Sequence, residues 1–151
     1  MMNMTSYYDF SGQKFGYPLS LSINSFDRHI FSRQNSLELS YVLQGEYQIV
    51  TEKLTSKLSK GELVMIAPGD IHLISHKKDG VILTIHIDFD RMTSAMSGNS
   101  NEAFSTMIVT NQAYDQLKNK ISGILKLIRK ENYNLYTLNA YMTVSYTHLT
   151  L

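Results

Sequence analysis

The residues of this chain whose types could do chemistry are histidines and carboxylates. It has no cysteine, which excludes disulfides, cysteine nucleophiles and cysteine-based zinc sites. His29, His72, His76 and His86 could in principle assemble a metal site, but only His72 and His76, four residues apart, are closely spaced. Residues four apart share a face of a strand, whereas on a loop this spacing means little. The chain contains no nucleophile elbow, P-loop, dinucleotide-binding fingerprint or His-Glu-x-x-His motif.

His86 and Glu38 each lie in a stretch where apolar and polar residues alternate. His86 is flanked by isoleucines and shares a period-two face with Thr84 and Asp88, and Glu38 shares one with Ser40. The simpler interpretation of His86 is a hydrogen-bonded structural histidine, and that of Glu38 is a solvated strand carboxylate. The alternative is that both side chains line a pocket, and the pattern by itself leaves the two interpretations open.

The elements that position these residues must come from one globular domain. The chain has 151 residues, with 14 basic and 13 acidic side chains and a formal net charge of +1. That balance argues against a histone-like nucleic-acid binder and against a polyanion mimic. With 43% hydrophobic residues and only 8 Gly and 2 Pro, a packed core is expected, and collagen-like or disordered chains are excluded.

Period-two alternation predicts a series of short strands between Leu19 and Phe89. The alternating stretches are 19–24, 37–44, 47–49 and 81–89, and residues 63–66 are apolar on both faces. Turn sequences separate them, at Gln44-Gly45-Glu46, Lys60-Gly61, Pro68-Gly69-Asp70 and Lys77-Lys78-Asp79-Gly80. The pattern predicts a mainly β protein with an antiparallel sandwich or barrel.

The hydrophobic period changes to that of a helix after residue 110. An amphipathic helix of about twenty residues is predicted to start near Thr110 or Asn111, and a second helix could follow from about Leu135. The apolar stripe is expected to pack on the barrel or on a partner helix, and consists of Leu117, Ile121, Ile124, Leu125 and Ile128.

Two strings in the strand region resemble the two cupin motifs. Glu38 is followed after six residues by Gly45, and Gly61 is followed by Gly69 and then by His72. The strings ELSYVLQGEYQI and GELVMIAPGDIHLI, with the amphipathic helix, resemble the N-terminal sensor domain of AraC/XylS-type transcription regulators over about residues 19–130. The resemblance implies a cupin-like antiparallel β-barrel (a double-stranded β-helix or jelly roll) followed by one or two C-terminal α-helices. It also implies an effector in the barrel, dimerisation through the helices and DNA binding through a further domain.

The same resemblance assigns Glu38 and His72 to two of the four cupin metal-ligand positions. The two consensus histidines are replaced within Phe31–Gln34, and the consensus asparagine is replaced by His76. We therefore expect no metal, no other cofactor and no enzyme activity. The alternative is a stand-alone metal-dependent cupin enzyme that carries out oxygenation or isomerisation.

The expected effector pocket is formed by side chains that would converge in a cupin-like register. A competing register, with Leu39 and Tyr41 facing inward, would leave a plain apolar interior. The ligand is a small-molecule effector, for which a carbohydrate is one candidate beside aromatic acids, peptides and stress metabolites. The predicted ligand-binding residues are Glu38, Ser40, His72, Thr84, His86 and Arg33.

The expected organisation has five parts and no membrane segment. They are an N-terminal arm (1–18), the barrel (19–90), a polar loop and connector (91–110), a helical dimerisation segment (111–143) and a tail of doubtful origin (144–151). A homodimer is expected through Leu117, Ile121, Leu125 and Ile128, with the DNA-binding domain absent from this chain. Because neither a secretory signal nor an 18-residue apolar stretch occurs, a cytoplasmic location is expected.

Overall fold

The computed structural model describes residues 4–11, 19–26, 28–31, 36–76, 79–88, 106–110 and 112–129. Within these ranges the chain forms mostly strands, and one helix follows them. The elements are β1 (Met4–Ser11), β2 (Leu19–Phe26), β3 (Arg28–Phe31), β4 (Ser36–Gln44), β5 (Glu46–Thr51), β6 (Thr55–Ser59), β7 (Leu63–Ile66), β8 (His72–His76), β9 (Val81–Asp88), β10 (Met107–Ile108) and α1 (Gln112–Arg129).

The strands form two antiparallel sheets. The first sheet has the order β1-β2-β9-β4-β7-β10, and the second has the order β3-β8-β5-β6. The prediction of a mainly β, antiparallel fold with a C-terminal helix is confirmed. The second helix expected near Leu135, the loop expected over 91–101 and the tail 144–151 lie outside the described residues.

Two strands fall in segments that the sequence assigned to an arm and a connector. β1 lies within the expected arm 1–18 and pairs with β2 along its length. β10 lies within the expected connector 91–110 and pairs with β7, with Met107 opposite Met65 and Ile108 opposite Val64. Both lie at the edges of the first sheet. An edge strand pairs with one neighbour only, so its sequence can alternate less strictly between apolar and polar residues.

The hydrophobic core lies between the two sheets. Its buried members come from both sheets, and β4, β7 and β9 are also buried on their other face. Of these three strands, β7 is apolar at every position, whereas the buried positions of β4 and β9 include the polar residues Glu38, Ser40 and Thr84. The central cluster consists of Val42, Tyr47, Ile49, Leu58, Val64, Ile66, Ile74 and Ile82.

Contacts divide the chain into two compact units, Met1–Ile108 and Val109–Leu151. In the second unit α1 carries Asp115 in its first turn, where the helix dipole favours a negative charge. Leu117 and Ile121 are buried, and Leu125 is half-buried. The side chain of Ile128 lies outside the description. No helix in the described part of the chain has the length and hydropathy that a membrane span requires.

Candidate ligand-binding site

Glu38 and His86 form the centre of a buried polar cluster in the first sheet. They lie on the adjacent strands β4 and β9, directly opposite each other in the register. Side chains of such a pair leave the same face of the sheet and come within contact distance. Accordingly, His86 Nε2 lies 2.7 Å from Glu38 Oε1.

His72 reaches the same carboxylate from the second sheet. It begins β8 just after the Ala67–Asp70 turn, in which the Asp70 amide donates to the Ala67 carbonyl at 3.2 Å and Gly69 adopts a φ of 83°. Its Nε2 lies 2.9 Å from Glu38 Oε2, and both side chains are only 3–4% exposed. Because the contact joins the two sheets, Glu38 points into the space between them. The competing register with a plain apolar interior is therefore not the one observed.

The two imidazoles determine the charge of Glu38. Burial alone would raise the pKa of this carboxyl, but hydrogen bonds from His72 and His86, together with their positive charges, outweigh burial and lower the pKa from 4.5 to about 2. Ser40 also donates from Oγ to Glu38 Oε2 at 3.1 Å. Glu38 is thus an ionised carboxylate whose two oxygens are both held by donors.

His72 is the complementary charge of this cluster. Burial tends to lower its pKa, but the hydrogen bond and the negative charge of Glu38 outweigh burial, and the pKa is raised above its usual value of 6.5. The Asp70 carbonyl lies 3.4 Å from His72 Nδ1. A protonated His72 can therefore donate from both ring nitrogens, one to Glu38 and one to Asp70.

A small open cavity, with room for about one water molecule, borders the cluster. That is far below the roughly 300–1,000 Å³ of most pockets for drug-sized ligands, so a larger ligand must extend from the cavity into solvent or displace the side chains that line it. The cavity offers imidazole donors, carboxylate acceptors and a hydroxyl beside a small apolar wall. Its lining residues are Ser36, Glu38, Ile66, Ala67, Asp70, His72 and His86.

The predicted site residues are brought together in part. Glu38, His72 and His86 contact one another and line the cavity. Ser40 and Thr84 are buried opposite each other on the same face, but they lie outside the lining, and Ser40 instead donates to Glu38. Arg33 lies outside the described residues.

A polar face on β2 extends the cluster and was not among the predicted site residues. Ser20 lies opposite His86, Ser22 opposite Thr84 and Asn24 opposite Ile82, so all three share the inward face, and all three are half-buried. The period-two alternation of β2 indicates that these three residues share a face. Without the register, however, the polar residues of β2 could equally have faced solvent.

Asp70 and Thr106 were also missed. Thr106 Oγ1 accepts a hydrogen bond from the Ala67 amide at 2.9 Å and donates to the Asp70 carboxylate. Asp70 belongs to the Pro-Gly-Asp-Ile-His string that carries the cupin resemblance, so a signal for it was present. Thr106 gave no such signal, because its contact with Asp70 spans 36 residues.

The residues present do not fit a cupin metal centre. Only two of the four consensus ligand positions hold ligating side chains, and Phe31, near the missing histidines, pairs with His72 in the β3–β8 register. Both oxygens of Glu38 are held by histidine nitrogens. Among the described residues, no group of three or more His, Asp or Glu side chains is arranged to hold a metal ion.

Comparison with known proteins shows the class of fold. No family model and no curated protein matches the sequence. Among solved structures, the AraC-like transcriptional activator CuxR aligns over 98% of this chain with a TM-score of 0.67 and 11% identity. The alignment covers 54% of CuxR, so this chain spans about half the length of that regulator.

Other similar structures include a protein described as a member of the cupin superfamily. A putative ethanolamine utilization protein, EutQ from Salmonella typhimurium, aligns over 58% of this chain and 69% of its own, with 18% identity and a TM-score of 0.48. A cupin superfamily protein from Desulfitobacterium hafniense covers 58% of this chain and 77% of its own, with 21% identity and a TM-score of 0.45. The mainly β, antiparallel fold that the sequence predicted is confirmed, and the solved structures similar to it include an AraC-like regulator and a cupin superfamily protein.

Proposed function

We propose that this chain is the effector-sensing and dimerising part of an AraC-type transcription regulator, and that it is not an enzyme. The observation that carries the proposal is the buried cluster of Glu38, His72 and His86 beside an open cavity in a cupin-like sandwich. The likeness of fold to CuxR over nearly the whole chain supports it. In the proposed regulator, DNA would be bound by a further domain, and the protein would act in the cytoplasm.

A small polyhydroxylated effector, such as a carbohydrate, fits the chemistry of the cavity best. Sugar hydroxyls both donate and accept hydrogen bonds, and the cavity presents donors on its histidines and acceptors on its carboxylates. Ser20, Ser22 and Asn24 continue the same polar face on β2. An apolar effector packed against the half-buried side chains of Ser20, Ser22 and Asn24 would leave polar groups without hydrogen-bond partners, at a cost of about 1–3 kcal/mol each.

A thermal-shift screen against a panel of monosaccharides tests this assignment. At least one sugar is expected to raise the melting temperature, because a ligand at 100 times its Kd adds about 2.7 kcal/mol of stability. Ser36→Ala and His86→Gln, which alter the cavity lining, should each reduce the shift. The matched control is Ser56→Ala, since the Ser56 hydroxyl lies on β6, outside the cavity lining, and among the described residues it donates to the neighbouring Lys57 carbonyl.

Two results would contradict the proposal in different ways. A panel without any shift, or a shift that is equal in Ser36→Ala, His86→Gln and the control, would remove the sugar site. About one equivalent of iron, manganese or zinc that survives dialysis and is lost in His72→Ala would favour the metal-dependent cupin enzyme instead. Elemental analysis of the purified protein provides that measurement.

The dimer is proposed to form along the edge of α1 that includes Leu125. Leu117 and Ile121 are already buried within the single chain, whereas Leu125 is half-buried. Among the stripe residues whose burial the structure describes, Leu125 is therefore the one best able to meet a partner. Leu125→Asp is expected to shift the sedimentation profile toward monomer while the strand signal in circular dichroism persists. Ser122→Asp, on an exposed position of the same helix, is the control and should leave the dimer unchanged.

The expected outcome for Ile121→Asp differs from that for Leu125→Asp. Ile121 is 3% exposed, so a buried carboxylate at this position should lower the melting temperature rather than only dissociate a dimer. A dimer unaffected by Leu125→Asp would place the interface away from this helix edge.

A further inference from the structure

Thr106 links the rim of the cavity to the last strand of the first unit. Its hydroxyl accepts from the Ala67 amide at 2.9 Å and donates to the Asp70 carboxylate, and Ala67 and Asp70 both line the cavity. Thr106 directly precedes β10 in the chain. One side chain therefore joins two cavity-lining residues to the start of β10.

The links continue from Asp70 to the buried carboxylate. The Asp70 carbonyl lies 3.4 Å from His72 Nδ1, and His72 Nε2 lies 2.9 Å from Glu38 Oε2. The sequence of contacts Glu38, His72, Asp70, Thr106 is thus continuous, and three of its four members line the cavity. His72 contacts the carbonyl of Asp70 and Thr106 contacts its carboxylate, so a ligand that displaces Asp70 would alter both contacts.

β10 is the element most easily released by such a change. It has two residues, lies at the edge of the first sheet and pairs only with β7 among the described strands. Few ladder hydrogen bonds give an element low local stability, and elements of low local stability are those that open first. Beyond Ile108 the chain passes through Val109 and enters α1 at Gln112.

We propose that Thr106 is a positioning residue that couples occupancy of the cavity to the pairing of β10 with β7. While Thr106 donates its hydrogen bond to the Asp70 carboxylate, β10 stays paired with β7. When that hydrogen bond is lost, the pairing of β10 with β7 weakens. The nature of the effector rests on the proposed function, but the coupling itself does not. It is tested without effector, so its failure is distinguishable from failure of the proposed function.

The test is a double-mutant cycle read by hydrogen exchange in the segment Thr106–Thr110. Glu38→Gln disturbs the cavity end, and Thr106→Val removes the hydroxyl while keeping the shape of the side chain. In the protein that retains Thr106, Glu38→Gln is expected to speed hydrogen exchange in this segment roughly 2- to 30-fold, the usual range for energetic coupling between distant residues. In the Thr106→Val background, the same substitution should add less than about twofold. Exchange over Glu46–Ser59 serves as the internal reference for global destabilisation.

The control variant is Thr51→Val. The Thr51 hydroxyl also holds a turn, by accepting from the Leu54 amide at 2.9 Å, but it has no place in the sequence of contacts. Glu38→Gln must keep its full effect in the Thr51→Val background, and Thr106→Ser, which retains the hydroxyl, must restore it. If Thr106→Val does not fold, Asp70→Asn weakens the same contact and carries the same expectation. Equal effects of Glu38→Gln in both backgrounds, or no effect in either, overturn the proposal.

Discussion

Glu38→Gln is expected to lower the free energy of unfolding by about 3 kcal/mol at pH 5.5 and by only about 1 kcal/mol at pH 3. The Glu38 carboxyl has its pKa lowered from 4.5 to about 2 in the folded protein. A group with a lowered folded pKa contributes stability that is present above its unfolded pKa and is lost as the pH falls through its folded pKa. The contribution of Glu38 is therefore complete near pH 5.5 and is mostly lost by pH 2.

His72 sets the upper limit of this window. Its pKa is raised above 6.5 in the folded protein, so its contribution is present below pH 6.5 and is lost as the pH rises through the folded pKa. The cluster should therefore stabilise the fold most between about pH 4.5 and 6.5. Urea unfolding of the wild type and of Glu38→Gln, at steps from pH 3 to pH 8, measures both limits.

Glu46→Gln is the matched control for this series. The Glu46 carboxylate pairs with Lys57 at 3.1 Å, with the lysine side chain 56% exposed, and an exposed pair contributes about 0–1 kcal/mol. This variant should change the free energy of unfolding little at any pH. A loss for Glu38→Gln that is the same at pH 3 and pH 5.5 would show that the charge of Glu38 does not stabilise the fold.

Gly45→Ala is expected to destabilise the protein by about 3 kcal/mol, against about 1 kcal/mol for Gly69→Ala. Both glycines have a positive φ, 78° and 83°, where an L side chain costs roughly 1–2 kcal/mol. Only at Gly45 would the added Cβ also meet backbone, with the Asp79 carbonyl oxygen and Gly80 Cα closer than van der Waals contact. Nothing lies within 4 Å of the Cβ position at Gly69, and overpacking typically adds 1–3 kcal/mol.

Asparagine at the same two positions separates backbone strain from overpacking. Asn tolerates a positive φ better than alanine does, so Gly69→Asn should be nearly neutral. Gly45→Asn still carries a Cβ and should retain most of its loss. The measurement is the midpoint of urea unfolding for the four variants. Equal losses at the two positions would contradict the close approach of the β4–β5 turn to the turn before β9.

The sequence by itself was sufficient for the fold class and for the turns at its motifs. The alternation of apolar and polar residues is clear in β2, β4 and β9. Each of these strands pairs with a neighbour on both sides, so its sequence is constrained along its whole length. The glycines at 45, 61 and 69, which lie in the predicted turn sequences, all have a positive φ. The pattern did not predict β1 or β10. Both are edge strands, and an edge strand pairs with a neighbour on one side only, so its sequence is less constrained.

The site required the tertiary structure, for a reason that lies in the period of a strand. Alternation by two identifies which residues share a face, so Glu38 with Ser40 and His86 with Thr84 followed from the sequence alone. It cannot say which face turns inward, because a shift of one residue exchanges the faces. The contact of Glu38 with His72 on the other sheet decides this, and it joins residues 34 positions apart. The same limit explains why Thr106 could not be found, since a hydrogen bond between distant segments leaves no periodic trace in either of them.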